Sequence, residues 1–199
     1  GDALSLQLRR LTMPSQTTLP ICTIGHSTKT IAEFVDLLRL AEVTAVIDIR
    51  TVPRSRHNPQ YNLDVLPGEL APYQIRHEYI AELGGLRGKA HGTAPDVNGL
   101  WRNQSFHNYA DYALTEGFRA GLDRLLAVAD NERCAIMCAE AVWWRCHRRI
   151  VADYLLARER AVLHLMWPSR VEPASLTLGA VPRDGSVTYP ATEQDLSGE

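Results

Sequence analysis

The sequence predicts an α/β protein, with a mostly parallel sheet of about five strands held between layers of helix. Three observations predict it. Short apolar runs recur near 21–24, 43–49, 75–79, 134–138 and 162–166, each the length of a strand. Between most of them lie segments with apolar residues at helical spacing, the alternation that folds as strand–helix–strand units. The run VTAVIDI at 43–49 is apolar almost throughout, as a central parallel strand buried on both faces must be.

Composition narrows the class. The chain has 199 residues and a formal charge of −2, enough for one full core and no general electrostatic footprint for nucleic acid. Cysteines at 22, 134, 138 and 146 do not make the disulfide framework of a small secreted domain. No run approaches the eighteen apolar residues of a membrane span. A cytoplasmic protein with no membrane partner is expected; oligomeric state is open.

Taken in order, residues 1–19 read as a loose extension, despite alternating leucines. The domain then runs over 20–168. Its first strand, at 21–24, turns through Gly25-His26-Ser27-Thr28, where Ser27 or Thr28 can cap a helix with apolar face Ile31, Phe34, Val35, Leu37, Leu38. The strand at 43–49 ends in Asp48-Ile49-Arg50 and releases a basic loop, in which Pro53 and Pro59 forbid regular helix. A short helix over 63–71 and a strand at 75–79 follow. Gly84-Gly85-Leu86-Arg87-Gly88 opens an irregular excursion able to cover a site. Helical stretches around 106–113 and 118–128 lead to the strand at 134–138, a helix over 147–158 and the last core strand at 162–166. Residues 169–199 read as an appendage of short extended pieces with a loose end. The whole is a single-domain, three-layer α/β/α, Rossmann-like arrangement, with too few strands for an eight-stranded barrel.

Chemistry concentrates after the fourth strand. Residues 138–149 hold two cysteines, a glutamate, two tryptophans, a histidine and three arginines. An ordinary βα turn needs two to six unremarkable residues. Polar loops that follow parallel strands share the carboxyl edge of the sheet, where ligands bind in open α/β folds.

TIGHST at 23–28, VIDIRTVPRSRHNPQ at 46–60, ELGGLRG at 82–88 and CAEAVWWRCHR at 138–148 resemble the family catalogued as domain of unknown function 488. The resemblance covers about 21–166. It implies a bacterial cytoplasmic α/β protein with a role for its two clustered cysteines, and it supplies no reaction. Trp143 departs from the proline-like character often seen there.

The residues set the candidates. Cys138 leaves its strand where the next helix and Arg145 or Arg148 can stabilise a thiolate, so it is expected to be the most reactive thiol. Cys146 is its rival, and Cys22 and Cys134 should be shielded. Glu140, Asp48, His26 and His147 are acid–base candidates. Arg50, Arg54, Arg56, Arg145 and Arg148, with Ser27, can converge on an anion, and Trp143 or Trp144 can stack a base. The alternative for the arginines is internal pairing with Asp48, Glu140 and Glu82. Cys138-x6-Arg145 lacks the glycines of a phosphate-cradling cysteine loop, and Glu140 inside it would repel phosphate. Neighbouring Cys146 and His147 are awkward as joint ligands, so neither metal nor cofactor is expected. Three functions follow. The first is an enzyme acting on a phosphorylated, nucleotide-like or nucleic-acid substrate at an arginine-rich pocket with a reactive cysteine. The second is a non-catalytic nucleic-acid-binding module, and the third a structural or protein-interaction domain.

Overall fold

Six strands form the central sheet of the computed structural model, which describes residues 18–193. They are β1 (Ile21–Gly25), β2 (Ala45–Asp48), β3 (Arg76–Tyr79), β4 (Cys134–Cys138), β5 (Val162–Met166) and β6 (Arg170–Pro173). Their order across the sheet is β3-β2-β4-β1-β5-β6. The first five are parallel, as the apolar runs predict, and β6 adds antiparallel to β5 at one edge.

Helices α1 (Ile31–Leu40), α2 (Leu66–Leu70), α3 (Gln104–Tyr112), α4 (Glu116–Ala129) and α5 (Arg148–Ala157) cover both faces. Strand side chains alternate between the two. Cys22, Ile24, Val46 and Met137 face Phe34, Val35, Leu38 and Leu66 on one side. Ile21, Ile47, Cys134 and Ile136 lie under Tyr109, Phe118, Leu125, Val151 and Leu155 on the other. The helix after β1 is capped by Thr30, whose hydroxyl accepts from the Glu33 N–H at 3.2 Å. This corrects the assignment of the cap to Ser27 or Thr28; those residues belong to the preceding turn.

The connections create a crevice. From β2 the chain leads through α2 to β3 at one edge, and from the adjacent β4 it crosses through α5 to β5 on the opposite side. Crossovers that leave neighbouring strands in opposite directions part above the strand ends, the usual ligand position in an open α/β sheet.

After β6 a hairpin of β7 (Val181–Arg183) and β8 (Ser186–Thr188) returns the chain to the domain. Val187 and Tyr189 are fully buried in the cluster beneath α5. The Tyr189 hydroxyl donates to the buried Asp153 carboxylate at 2.7 Å, and that of Tyr154 to the Val187 carbonyl at 3.1 Å. The amino-terminal extension expected over 1–19 lies, as far as residue 17, outside the described residues.

These contacts predict that the carboxyl-terminal segment unfolds with the sheet. Tyr189→Ala removes a buried ring and its hydrogen bond, and should cost about 3–5 kcal/mol in urea denaturation. A loss below about 1 kcal/mol would mean that 169–193 is an independent appendage.

Candidate functional site

The carboxyl ends of β1, β2 and β4 are tied together past the end of the ladder. The His26 N–H donates to the Cys138 carbonyl at 2.9 Å, that of Ser27 to Ala139 at 3.0 Å, and that of Ile49 to Met137 at 3.1 Å. Ser27 adopts a left-handed backbone with φ of 45°, uncommon outside glycine. At Gly25 any Cβ would overlap the Glu140 carbonyl and reach 2.8 Å from the Arg148 guanidinium. Glycine is required there by close approach of two loops.

Arg148, in the first turn of α5, is the largest side chain with no solvent exposure. Its Nε donates to Cys138 Sγ at 3.1 Å, one terminal nitrogen to the Thr23 hydroxyl at 3.1 Å, and the other to the Glu140 carbonyl at 2.9 Å. Its backbone N–H points at Cys146 Sγ at 3.5 Å. Among the described residues no carboxylate lies within ion-pairing distance of it. Thr23 in turn bonds His164 Nδ1 at 2.7 Å, and Trp143 stacks on His164 with ring centres 4.5 Å apart.

Both sulfurs therefore sit on one arginine, each as a free thiol. Burial pushes the Cys138 thiol well above its ordinary pKa, and its hydrogen bond to Cys146 pushes it further. Burial also opposes ionisation of Cys146. There the hydrogen bond from Cys138, the Arg148 charge and the Arg148 N–H outweigh burial, and the pKa falls below the ordinary thiol value. The sequence favours Cys138 as the more reactive thiol, and the structure gives the two sulfurs different contacts. Cys138 has the strand end, while Cys146 has the backbone donor at the helix start. Burial raises Cys22 to about 11 and Cys134 to about 12, so neither thiolate is favoured near neutral pH.

His147 completes the group. Its Nε2 lies 2.8 Å from the Ile49 carbonyl and its Nδ1 3.3 Å from Cys146 Sγ. A carbonyl only accepts, so Nε2 carries the proton and, in the neutral ring, Nδ1 presents a lone pair to the thiol. Burial lowers the His147 pKa and favours that neutral form. A Cβ at Gly85 would overlap the imidazole.

On β2, Asp48 and Arg50 form a closed pair. Arg50 Nε and a terminal nitrogen grip the two carboxylate oxygens at 2.9 and 2.6 Å, and the Arg50 N–H adds a third bond at 3.1 Å. Burial raises the Asp48 pKa, but the hydrogen bonds from Arg50, with His77 Nε2 3.5 Å away, outweigh it and hold the carboxyl below its usual range. The remaining Arg50 nitrogen lies 3.3 Å from His26 Nε2. His26 stacks on Tyr61 at 4.2 Å, with Nδ1 2.8 Å from the Ser27 carbonyl.

Two clefts open at this edge. One, of about 330 Å³, is lined by Cys138, Cys146, His147, Glu140, Arg145 and Arg50, with Val52, Leu86 and Phe106 as an apolar wall. The other, of about 380 Å³, is polar and is lined by His26, Ser27, Thr28, Arg54, Ser55 and Asn58. Arg50, Val52 and Ala139 border both. The structure thus gathers most of the sequence candidates at one edge, though in different roles. Glu140 turns its carboxylate outward and serves Arg148 through its carbonyl. Trp143 packs inward on His164, while Trp144 is exposed. Arg54 and Arg56 are exposed on the basic loop.

Sequence reasoning missed Lys29, Thr23, Tyr61, His77 and His164. Lys29 is buried, donates to the Gly25 carbonyl at 3.0 Å, and has its pKa lowered by burial and by Arg148. Only its place beside the Gly-His-Ser turn could have drawn attention to it. Among the described residues no helix is long and apolar enough to cross a membrane, and no three His, Cys, Asp or Glu side chains gather as a metal site.

A family model described as "Domain of unknown function DUF488" matches residues 30–155. That stretch contains Asp48, Arg50, Cys138, Cys146, His147 and Arg148 and leaves out the His26-Ser27 turn. No curated protein and no solved structure matches the chain.

The buried imidazoles imply a pH dependence. Burial lowers His26 and His164 to about 4, below the unfolded value of about 6.5. The unfolded chain takes up protons first as pH falls, so stability is full above about pH 6.5 and declines toward pH 4. The loss should reach about 3 kcal/mol per histidine at most. Urea denaturation at pH 7 and pH 5 should show it, with a shallower slope in His164→Asn. A slope unchanged by that substitution would remove His164 from the effect.

Proposed function

Since the chain belongs to the DUF488 family, which carries no reaction in its description, we propose from the site that it is an enzyme. It acts through a Cys146 thiolate on a phosphorylated or nucleotide-like substrate in the arginine-bordered cleft. The observation that carries this is Arg148, a guanidinium with no exposure and, among the described residues, no carboxylate partner. An isolated buried charge costs several kcal/mol. The groups within reach able to supply a compensating negative charge are the two sulfurs, so one proton is shared between them, with the negative charge mainly on Cys146.

In this reading Cys146 is the nucleophile. When the thiol is protonated, His147 Nδ1 takes the proton as sulfur bonds to the electrophilic centre and the leaving group departs with its electron pair. The Ile49 carbonyl fixes the tautomer and the ring plane. Exposed Arg145 borders the same cleft and suits an anionic group, while Leu86 and Phe106 suit an aromatic or sugar portion. The imidazolium then gives that proton to the departing group, with Glu140 exposed at the rim of the cleft.

Exposed Arg54 and Arg56 favour a second reading, a surface for nucleic acid, catalytic or not. It requires affinity for single-stranded DNA or RNA that falls steeply with salt. Internal pairing of Arg50 with Asp48 speaks for the structural reading at that residue alone.

Alkylation by iodoacetamide, followed by peptide mass spectrometry across pH, tests the enzyme reading. Cys146 should react at neutral pH at least tenfold faster than Cys22, Cys134 or Cys138, with a midpoint below the ordinary thiol value of about 8.5. Millimolar pyrophosphate should protect it, and Arg145→Ala should abolish protection while leaving the midpoint unchanged. Reaction only above about pH 8.5 would sink the thiolate and the mechanism with it.

A further inference from the structure

We propose that Cys138, on the buried guanidinium of Arg148, and Cys146, at the backbone N–H of the same residue, work as a thiol–disulfide exchange pair, Cys146 attacking and Cys138 resolving. This rests on the Cys146 thiolate of the preceding reading and adds a second activity with its own substrate class. That class is small disulfides bearing carboxylates, which suit a cleft bordered by Arg50 and Arg145. The sequence spacing gave little reason for a pair, because seven residues separate the cysteines. The short helical turn at Trp143–Arg145 folds the loop back, so that Arg148 Nε lies 3.1 Å from one sulfur and the Arg148 N–H 3.5 Å from the other.

The steps balance without a further oxidant. Cys146 thiolate attacks one sulfur of R–S–S–R, the S–S bond breaks, and RS⁻ leaves with the bonding pair. Cys146 is now a mixed disulfide, and Arg148 has lost its counter-anion. The thiol still on its Nε, Cys138, then ionises, its proton passing to the departing RS⁻ to give RSH. Cys138 thiolate attacks Cys146 Sγ and expels the second RS⁻, which takes a proton from water. The two cysteines are oxidised to a disulfide and the substrate is reduced to two thiols. An external dithiol returns the pair to its starting state.

Arg148 also sets the direction. The reduced pair supplies the negative charge that this guanidinium lacks, and the disulfide supplies none, so oxidation strands a buried cation. A couple whose reduced form is stabilised is a strong oxidant. The Cys138–Cys146 disulfide therefore forms as a short-lived state that passes readily to an incoming dithiol.

The full chain is equilibrated in defined mixtures of reduced and oxidised glutathione, quenched with acid, alkylated and read by mass spectrometry. We expect an internal Cys138–Cys146 disulfide that excess reduced glutathione removes, and in Cys138→Ser a glutathione adduct trapped on Cys146. Arg148→Met, with its fold checked by circular dichroism, should make the disulfide at least tenfold more resistant to reduction, about 30 mV for a two-electron couple. A disulfide that resists excess reduced glutathione in the unsubstituted chain, or unchanged resistance in folded Arg148→Met, overturns the role of Arg148. If Arg148→Met does not fold, the unsubstituted chain and Cys138→Ser decide. Fast alkylation of Cys146 with no internal disulfide overturns this inference and leaves the thiolate enzyme standing. Slow alkylation removes both.

Discussion

The arrangement around Arg148 depends on a guanidinium that has left water without meeting a carboxylate. It reaches Thr23 on β1, Cys138 on β4 and the carbonyl of Glu140 in the loop, from a position at the start of α5. Two neighbouring strands and the crossover helix are joined through one side chain, at the point where the crossovers diverge. Its donors meet neutral oxygens and sulfur, so its charge remains to be balanced by something that can ionise. Lys29, also buried and without a carboxylate hydrogen bond, adds to the positive field on the same side of β1. Packing and, in the proposed function, reactivity are thus two aspects of one contact. What holds the strand ends together also lowers the cost of charge on sulfur.

The arginines divide by depth. Arg50 and Arg148 are buried and shape the site from within, one neutralised by Asp48, the other leaning on thiols. Arg145, Arg54 and Arg56 remain exposed, the first at the sulfur-lined cleft and Arg54 at the polar one. Net charge near zero hides this division, because it counts a buried, paired arginine and an exposed one alike.

Strand positions and parallel order were legible because continuous apolar runs have few other uses in a chain this polar. VTAVIDI and the run before Cys138 gave both the elements and the shared edge on which their loops meet. β6 was not legible: Arg170–Pro173 is a short, mostly exposed edge strand, whose pairing comes from the adjacent β5 and leaves little hydrophobic pattern. The site was legible as a list of residues and not as a set of contacts. Thr23 and His164 are 141 positions apart and meet on adjacent strands, a distance no local spacing encodes. The contacts of the two thiols turned on where α5 begins. Starting at Arg148, it aims a backbone N–H at Cys146, whereas reasoning from the strand end favoured Cys138. Tyr189 was missed because the segment before it is polar, and its burial depends on meeting Asp153.

Gly85 belongs to a loop that gives the sulfur-lined cleft only Gly85 and Leu86, yet it borders the imidazole of His147 so closely that even a methyl would take the ring's place. The Leu86 N–H anchors that loop to the Thr51 hydroxyl at 2.7 Å. Whatever displaces this loop changes how far the imidazole stands from sulfur. The excursion after β3 is therefore the tuning screw of this corner: its seating sets how the His147 ring stands beside Cys146.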